Sequence, residues 1–148
     1  LHAPQFDDDR DDVIARAREA GVDLMVEISD KLSTFEATHG LAMAHDDIWC
    51  TVGTHPHEAK ENPDLSAADL IALAVDPRVV GIGETGLDYY HPAPEGWTDE
   101  NFRERQRHFL ERHFQLASKA QLNVVIHTRD VDGRVPPVIL VAFRPRDA

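Results

Sequence analysis

Residues 79–89, which read VVGIGETGLDY, contain the stretch that decides the fold. Its first five residues are apolar or glycine and rich in β-branched side chains, a composition typical of a strand covered on both faces. Glu84 follows directly, and a carboxylate beside a buried strand is costly unless it is paired with a cation or bound to a metal ion. We therefore predict a buried strand followed by a functional carboxylate. The structural alternative is that Glu84 pairs with Arg129 or caps a loop amide.

The glycines of this stretch do not form a nucleotide-binding loop. Gly81 and Gly83 lack the third glycine and the helix start that a dinucleotide fingerprint requires. We expect them to allow close packing or backbone approach within the strand. The sequence also contains no Gly-x-Ser-x-Gly elbow and no P-loop, so a serine hydrolase or an NTPase is unsupported.

Three similar apolar runs and four amphipathic segments alternate along the chain. The runs are residues 24–28, 48–52 and 122–126, and the predicted helices are residues 7–20, 33–43, 66–75 and 98–120. Such alternation predicts parallel βα units with right-handed crossovers. Four units are too few for a closed eight-stranded barrel of about 250 residues. An open doubly wound sheet and part of a barrel both remain compatible with this count.

Composition restricts the function further. The chain has 148 residues, 42% hydrophobic and 28% charged, which is typical of one globular domain. With 15 Lys and Arg against 27 Asp and Glu, the formal charge is −12, which argues against a basic nucleic-acid coat or a polybasic membrane anchor. A metal-dependent nuclease remains compatible, because bound cations would supply local positive charge. The single cysteine, Cys50, and the lack of an apolar span or signal segment predict a cytoplasmic protein with a buried thiol.

Polar residues gather after three of the predicted strands. His55 and His57 follow the second run, Glu84 follows the third, and His127 with Arg129 follows the fourth. Since the carboxyl ends of parallel strands meet at one edge, we predict a site there. Glu84 and His127 are its candidate metal ligands, with zinc, manganese, cobalt and magnesium not distinguished. We expect the remaining helical or helix-flanking histidines to be structural or on the surface (39, 45, 108 and 113), and residues 91–97 to form an ordinary surface connection.

The motifs at these strand ends resemble the three internal signatures of the TatD family of metal-dependent deoxyribonucleases and related hydrolases. They are residues 53–59 (GTHPHEA), 81–89 (GIGETGLDY) and 125–130 (VIHTRD), and residues 6–10 and 106–109 also fit. The resemblance implies an α/β fold, a partial TIM-type (β/α) barrel with parallel strands and outer helices.

The same resemblance implies roles for individual residues. Glu84 would be catalytic and would bridge two divalent metal ions, and His127 would bind one of them. His55, His57 and Arg129 would face the phosphate of a DNA substrate. Two such cations can activate a water and stabilise the leaving oxygen of a phosphodiester.

The chain departs from the family pattern at both ends. The family's His-x-His of the first strand would precede Leu1, His2 lies on the wrong side to replace it, and the family's later histidine and aspartate have no counterpart. We therefore expect one partial domain over residues 1–148, family-like over 1–130 with a divergent tail over 131–148, and hypothesise a fragment.

Two alternatives to the nuclease remain. The chain could be a catalytically inert remnant, whose exposed barrel edges would favour self-association. It could also be a small-molecule hydrolase of the same superfamily. No membrane and no stable protein partner is implied.

Overall fold

The computed structural model describes residues 1–60, 67–131 and 138–141, and within them four α-helices, five strands and three short 3₁₀ helices (Pro4–Phe6, Leu32–Thr34 and Pro56–Glu58). The helices are α1 (Arg10–Glu19), α2 (Phe35–Ala44), α3 (Ala67–Ala74) and α4 (Asp99–Ala120). The strands are β1 (Met25–Glu27), β2 (Ile48–Val52), β3 (Val79–Asp88), β4 (Asn123–Arg129) and β5 (Val138–Val141). Each predicted element up to residue 130 is present, although Ser66, the predicted start of the third helix, lies outside the described residues.

The strands form one sheet in sequence order, and β1 to β4 are parallel as predicted. β5 was not predicted, and it pairs with β4 in the antiparallel sense, with Val125 opposite Val141. The short connection explains this direction, because a parallel crossover needs about a dozen residues or more, which is longer than the segment between Arg129 and Val138.

The long helix α4 covers the sheet beside β3. It begins at Thr98, whose Oγ1 accepts a hydrogen bond from the Asn101 N–H, and it ends at Gln121 in the left-handed conformation. Acidic residues occupy its first turn, where they stabilise the positive end of the helix dipole. Its buried face follows the helical period and consists of Phe102, Gln106, Phe109, His113, Leu116 and Ala117. Two of these buried side chains, Gln106 and His113, are polar and therefore need partners.

The main core lies between the helices and β1 to β3. Its largest fully buried apolar side chains include Ile14, Ile48, Ile82 and Leu116. Cys50 is buried in this cluster as predicted, and burial raises the pKa of its thiol to about 12. The thiol therefore stays protonated and behaves as an apolar group.

Backbones approach closely where β2 ends beside the middle of β3. A Cβ on Gly53 would lie 2.5 Å from the Gly83 Cα, and one on Gly83 would lie 2.5 Å from the Val125 carbonyl oxygen. Gly83 also has φ +141°, a conformation that side chains disfavour. The expected backbone approach at Gly83 is thus confirmed. Hydrogen bonds hold the same region, since Thr51 Oγ1 donates to the Gly83 carbonyl over 2.6 Å and the Glu84 N–H donates to the Ser29 carbonyl over 2.8 Å.

β3 is longer than predicted, which changes the position of Glu84. We expected the strand to end at Gly83 with Glu84 after it, but β3 continues through Asp88. The pairing resumes after an irregularity between Ile82 and Thr85, and it brings Gly86 opposite His127 and Asp88 opposite Arg129. The two strands lengthen together because each satisfies the backbone groups of the other. Glu84 and His127 therefore lie within strands rather than in the loops that follow them.

Among the helices in the described ranges, none has the length and apolar character needed to cross a membrane. The cytoplasmic location stays a prediction.

Candidate metal centre

Glu84 and His127 lie next to each other on β3 and β4. His127 Nδ1 is 3.1 Å from Glu84 Oε1, and its other nitrogen, Nε2, is 3.3 Å from Asp88 Oδ2. The hydrogen bond to Glu84 raises the pKa of His127, and the charges of Glu84 and Asp88 act in the same direction. The imidazole therefore lies between two carboxylates and favours its cationic form.

This arrangement fits a divalent cation. His127 Nε2 is buried and has no hydrogen bond of good geometry, despite its distance to Asp88. Potential ligand atoms of His55, Glu84 and His127 all lie within 4.8 Å of one another. The imidazole of His127 and the carboxylate of Glu84 are donor types suited to zinc and related transition ions. A cation bound beside His127 would offset the negative charges of Glu84 and Asp88, as the His127 imidazolium does in the structure.

His55 belongs to the same cluster, and its hydrogen bond restricts its role. Its ring contacts that of His127 edge to face, with centroids 4.4 Å apart. Its Nδ1 accepts the backbone N–H of His57 over 3.1 Å, so in the neutral ring the proton lies on Nε2. Burial lowers the pKa of His55 and favours this neutral ring. In this tautomer Nε2 is a hydrogen-bond donor, which suits an acceptor such as a phosphate oxygen better than a metal ion.

His57 lies in a neighbouring cluster with Asp88 and His91. Its ring packs edge to face against His91, with centroids 4.8 Å apart, and His91 Nδ1 is 3.2 Å from Asp88 Oδ2. Potential ligand atoms of His57, Asp88 and His91 lie within 4.8 Å of one another. The structure thus separates His55 from His57, which the sequence analysis grouped together as phosphate-facing residues.

Asp88 connects the two clusters and is firmly held. Burial opposes ionisation of Asp88, but the Tyr90 N–H on Oδ1 and His91 on Oδ2 outweigh it and lower the pKa. Its backbone exchanges hydrogen bonds with the buried side chain of Gln106. The carboxylate therefore stays ionised, with its Oδ2 facing both His127 and His91.

Arg129 does not pair with Glu84, so the ion-pair form of the structural alternative for that carboxylate is not the observed arrangement. Its guanidinium lies 3.8 Å from the centroid of the Tyr90 ring, which is 60% exposed. The Tyr89 N–H donates to the Arg129 carbonyl, which places the two chain segments side by side. Arg129 thus lies at the end of β4, next to the cluster formed by His57, Asp88 and His91. Its planar guanidinium stacks on the face of the Tyr90 ring.

Sequence reasoning missed Asp88 and His91. A signal for Asp88 existed, because residues four apart on a strand face the same side, and Asp88 is four residues beyond Glu84. The short strand predicted at 79–83 concealed that relation. His91 has no periodic signal, and the segment assigned to an ordinary surface connection in fact begins beside Asp88. The structural or surface role expected of His113 agrees with its position, since it is buried between Thr54 and Phe109.

Comparison with known proteins identifies the family. A family model described as TatD related DNase matches residues 1–140. This chain belongs to the TatD family. The resemblance inferred from the three motifs is thereby confirmed.

Curated relatives support the assignment. The 3'-5' ssDNA/RNA exonuclease TatD of Cronobacter turicensis is 41% identical over 136 residues, covering 90% of this chain and 48% of that protein. The Escherichia coli protein of the same name is 33% identical over 137 residues, covering 90% of this chain and 49% of that protein. The TatD-family chain thus spans about half the length of the curated relatives it matches.

A solved structure confirms the fold class. The crystal structure of YjjV, a TatD homologue from Escherichia coli, matches with a TM-score of 0.73 and 27% identity, covering 86% of this chain and 47% of that one. The α/β fold is therefore a partial (β/α) barrel with parallel strands and outer helices, and an open doubly wound sheet is excluded. The division of the chain at residue 130 stays a prediction.

Proposed function

We propose that this TatD-family chain contributes Glu84, His127, His55 and Arg129 to the metal-dependent hydrolysis of phosphodiester bonds in DNA. The observation that carries the proposal is the position of His127 between the carboxylates of Glu84 and Asp88 at the carboxyl edge of the sheet. Relatives named as 3'-5' ssDNA/RNA exonucleases favour a single-stranded nucleic acid as substrate. They also favour a nuclease over a small-molecule hydrolase.

Each side chain has a role that follows from its contacts. Glu84 and His127 would hold the divalent cations, Glu84 through its carboxylate and His127 through a ring nitrogen. His55 would donate a hydrogen bond from Nε2 to a phosphate oxygen, because its Nδ1 already accepts the His57 N–H. Arg129, which stacks on the Tyr90 ring beside the site, would offer a phosphate two parallel donors.

Divalent cations bound at this site would lower the pKa of a water and offset the negative charge that develops on the phosphate. Magnesium, manganese, zinc and cobalt all remain candidates. Local positive charge matters because the chain carries a formal charge of −12, which would otherwise repel a polyanion.

The proposal is tested with a 3'-fluorescent single-stranded DNA oligonucleotide incubated with the full chain and Mg²⁺ or Mn²⁺. We expect cation-dependent release of label by the wild type and none by Glu84→Gln, which keeps the side-chain volume but removes the charge. Glu104→Gln is the matched control, because Glu104 is exposed on α4. It should cleave like the wild type.

Simple ester and amide substrates complete the test. Hydrolysis of these compounds without cleavage of DNA would identify the small-molecule alternative. A wild type that cleaves no more than Glu84→Gln in either metal ion would identify the inert alternative and refute the proposal for this chain.

A further inference from the structure

His57, Asp88 and His91 form a second cluster of potential ligands, which lies outside the pair formed by Glu84 and His127. Two imidazoles and one carboxylate bring one ligand atom each to within 4.8 Å of the others. The residues come from different parts of the chain: His57 from the turn after β2, Asp88 from the end of β3, and His91 from the segment that follows it. Asp88 and His91 are three residues apart, and the fold brings His57 from a distant part of the chain to meet them.

We propose that His57, Asp88 and His91 bind a divalent transition-metal ion. A set of two histidines and one carboxylate, with further positions left for water or substrate, is typical of sites for zinc, cobalt or iron(II). Magnesium is disfavoured, because it prefers oxygen ligands.

The carboxylate of this cluster is buried and held in place by hydrogen bonds. The Asp88 side chain is 2% exposed, its Oδ1 accepts the Tyr90 N–H, and its Oδ2 faces the His91 ring. The backbone on either side of this side chain is anchored by Gln106. A ligand held in this way loses little conformational entropy when it binds an ion.

The imidazoles leave one side of the cluster accessible. The His91 side chain is 38% exposed, and His57 is half-buried. An ion could therefore enter from solvent and keep an open coordination position. Arg129 stacks on Tyr90, whose ring contacts that of His91, so a cationic donor lies one residue away from the cluster.

Binding at this cluster is separable from the proposed nuclease. Neither His57 nor His91 contacts Glu84 in the hydrogen-bond and ion-pair networks described above. The two clusters meet at Asp88 Oδ2, which faces both His91 and His127, and at the hydrogen bond from the His57 N–H to His55 Nδ1. Metal binding can be measured without any nucleic acid, so a failed nuclease assay would leave this result intact. Equally, loss of this ion would not by itself remove the ligands Glu84 and His127.

The experiment measures Co²⁺ bound per chain by equilibrium dialysis, together with the visible absorption of the bound ion. The wild type, His91→Asn, His57→Asn and His127→Asn are compared, with His108→Asn as the matched control because His108 is exposed on α4. We expect His91→Asn and His57→Asn each to lose the same Co²⁺ equivalent, and His127→Asn to retain it. His108→Asn should bind like the wild type.

Two results would overturn the site. The first is unchanged Co²⁺ stoichiometry and affinity in both His91→Asn and His57→Asn. The second is an equal loss in His108→Asn, which would indicate nonspecific binding to surface histidines. Far-ultraviolet circular dichroism accompanies each sample, and the use of two independent ligand variants keeps the test decisive if one of them fails to fold.

Discussion

Gln106 in α4 and Asp88 at the end of β3 exchange two hydrogen bonds. The Asp88 N–H donates to Gln106 Oε1 over 2.8 Å, and Gln106 Nε2 donates to the Asp88 carbonyl over 3.0 Å. Gln106 is fully buried, so neither its amide nor the strand end can exchange these partners for water. The Gln106 side chain thereby pairs the backbone of Asp88 on the side where β2 has already ended, while β4 pairs with β3 on the other side. It fixes the position of the carboxylate that joins the two candidate ion sites.

Replacing Gln106 should therefore destabilise the protein. Gln106→Leu leaves the buried N–H and carbonyl of Asp88 unpaired, and we expect the free energy of unfolding to fall by about 2–4 kcal/mol. Urea unfolding followed by circular dichroism measures the change. Gln115→Leu is the control on an exposed turn of the same helix and should change the stability little. Equal losses in both variants would show that the pairing with Asp88 contributes nothing particular.

The buried His113 predicts a pH dependence of stability. Its Nδ1 donates to the Phe109 carbonyl over 2.7 Å, so the lone pair of Nε2 accepts the Thr54 N–H and the ring is neutral. Burial lowers its pKa from the ordinary 6.5, and the Phe109 hydrogen bond only partly opposes this. The unfolded chain takes up a proton first as the pH falls. The contribution of His113 to stability is thus fully present above the unfolded pKa and is lost as the pH falls below about 6.5 towards the folded pKa.

Unfolding free energies measured between neutral and mildly acidic pH test this dependence. His113→Gln keeps an acceptor for Thr54 but cannot titrate, so its stability should fall less steeply with acidification than that of the wild type. His108→Gln, which removes an exposed histidine of the same helix, should follow the wild type. Parallel curves for the wild type and His113→Gln would contradict the prediction.

Two glycine substitutions should change stability in opposite directions. Gly86 lies opposite His127 with φ +143°, and an added Cβ would overlap the His127 carbonyl oxygen. We expect Gly86→Ala to lower the free energy of unfolding by about 3 kcal/mol or more, because the strand pair must separate. Gly40 lies in α2 with open space around it, so Gly40→Ala should raise stability by about 0.5–1 kcal/mol. Thermal and urea unfolding of both variants would show whether the signs are correct.

Arg129 should be sensitive even to a conservative change. Lysine keeps the positive charge but loses both the planar face that stacks on Tyr90 and the paired donors that match a phosphate. If the proposed nuclease is correct, we expect Arg129→Lys to lower kcat/KM on single-stranded DNA about tenfold. Arg112→Lys, at an exposed position of α4, is the control and should be unaffected. An Arg129→Lys variant with full activity would remove this residue from the phosphate-binding role.

Much of the fold could be predicted from local patterns in the sequence. The apolar run at 48–52 coincides with β2, and the amphipathic stretch from Thr98 to Ala120 coincides with the cap and body of α4. Such elements are predictable because burial on a strand or a helix face imposes a period on the sequence. β5 was not predicted, because its antiparallel pairing with β4 does not follow from the alternation of strands and helices that predicted the other strands.

The candidate site could be predicted only in part from the sequence. Glu84 and His127 were predicted as site residues because a carboxylate or an imidazole beside a buried strand costs free energy unless it is paired or bound to an ion. Asp88 was overlooked, because the length of β3 depends on its pairing with β4 rather than on its own composition. The separation of His55 from His57 depends on the backbone turn between them, in which one residue donates its N–H to the ring of the other.

The sequence by itself determined the alternation of strands and helices, the parallel order of the first four strands, and the residue types available at their carboxyl edge. The tertiary structure decided which of those residues meet. It placed His127 between Glu84 and Asp88, turned His57 and His91 towards the same carboxylate, and stacked Arg129 on Tyr90. The physical reason is that periodicity encodes which face a residue occupies, whereas distances between strands depend on register and on loop closure, which involve residues far apart in the chain.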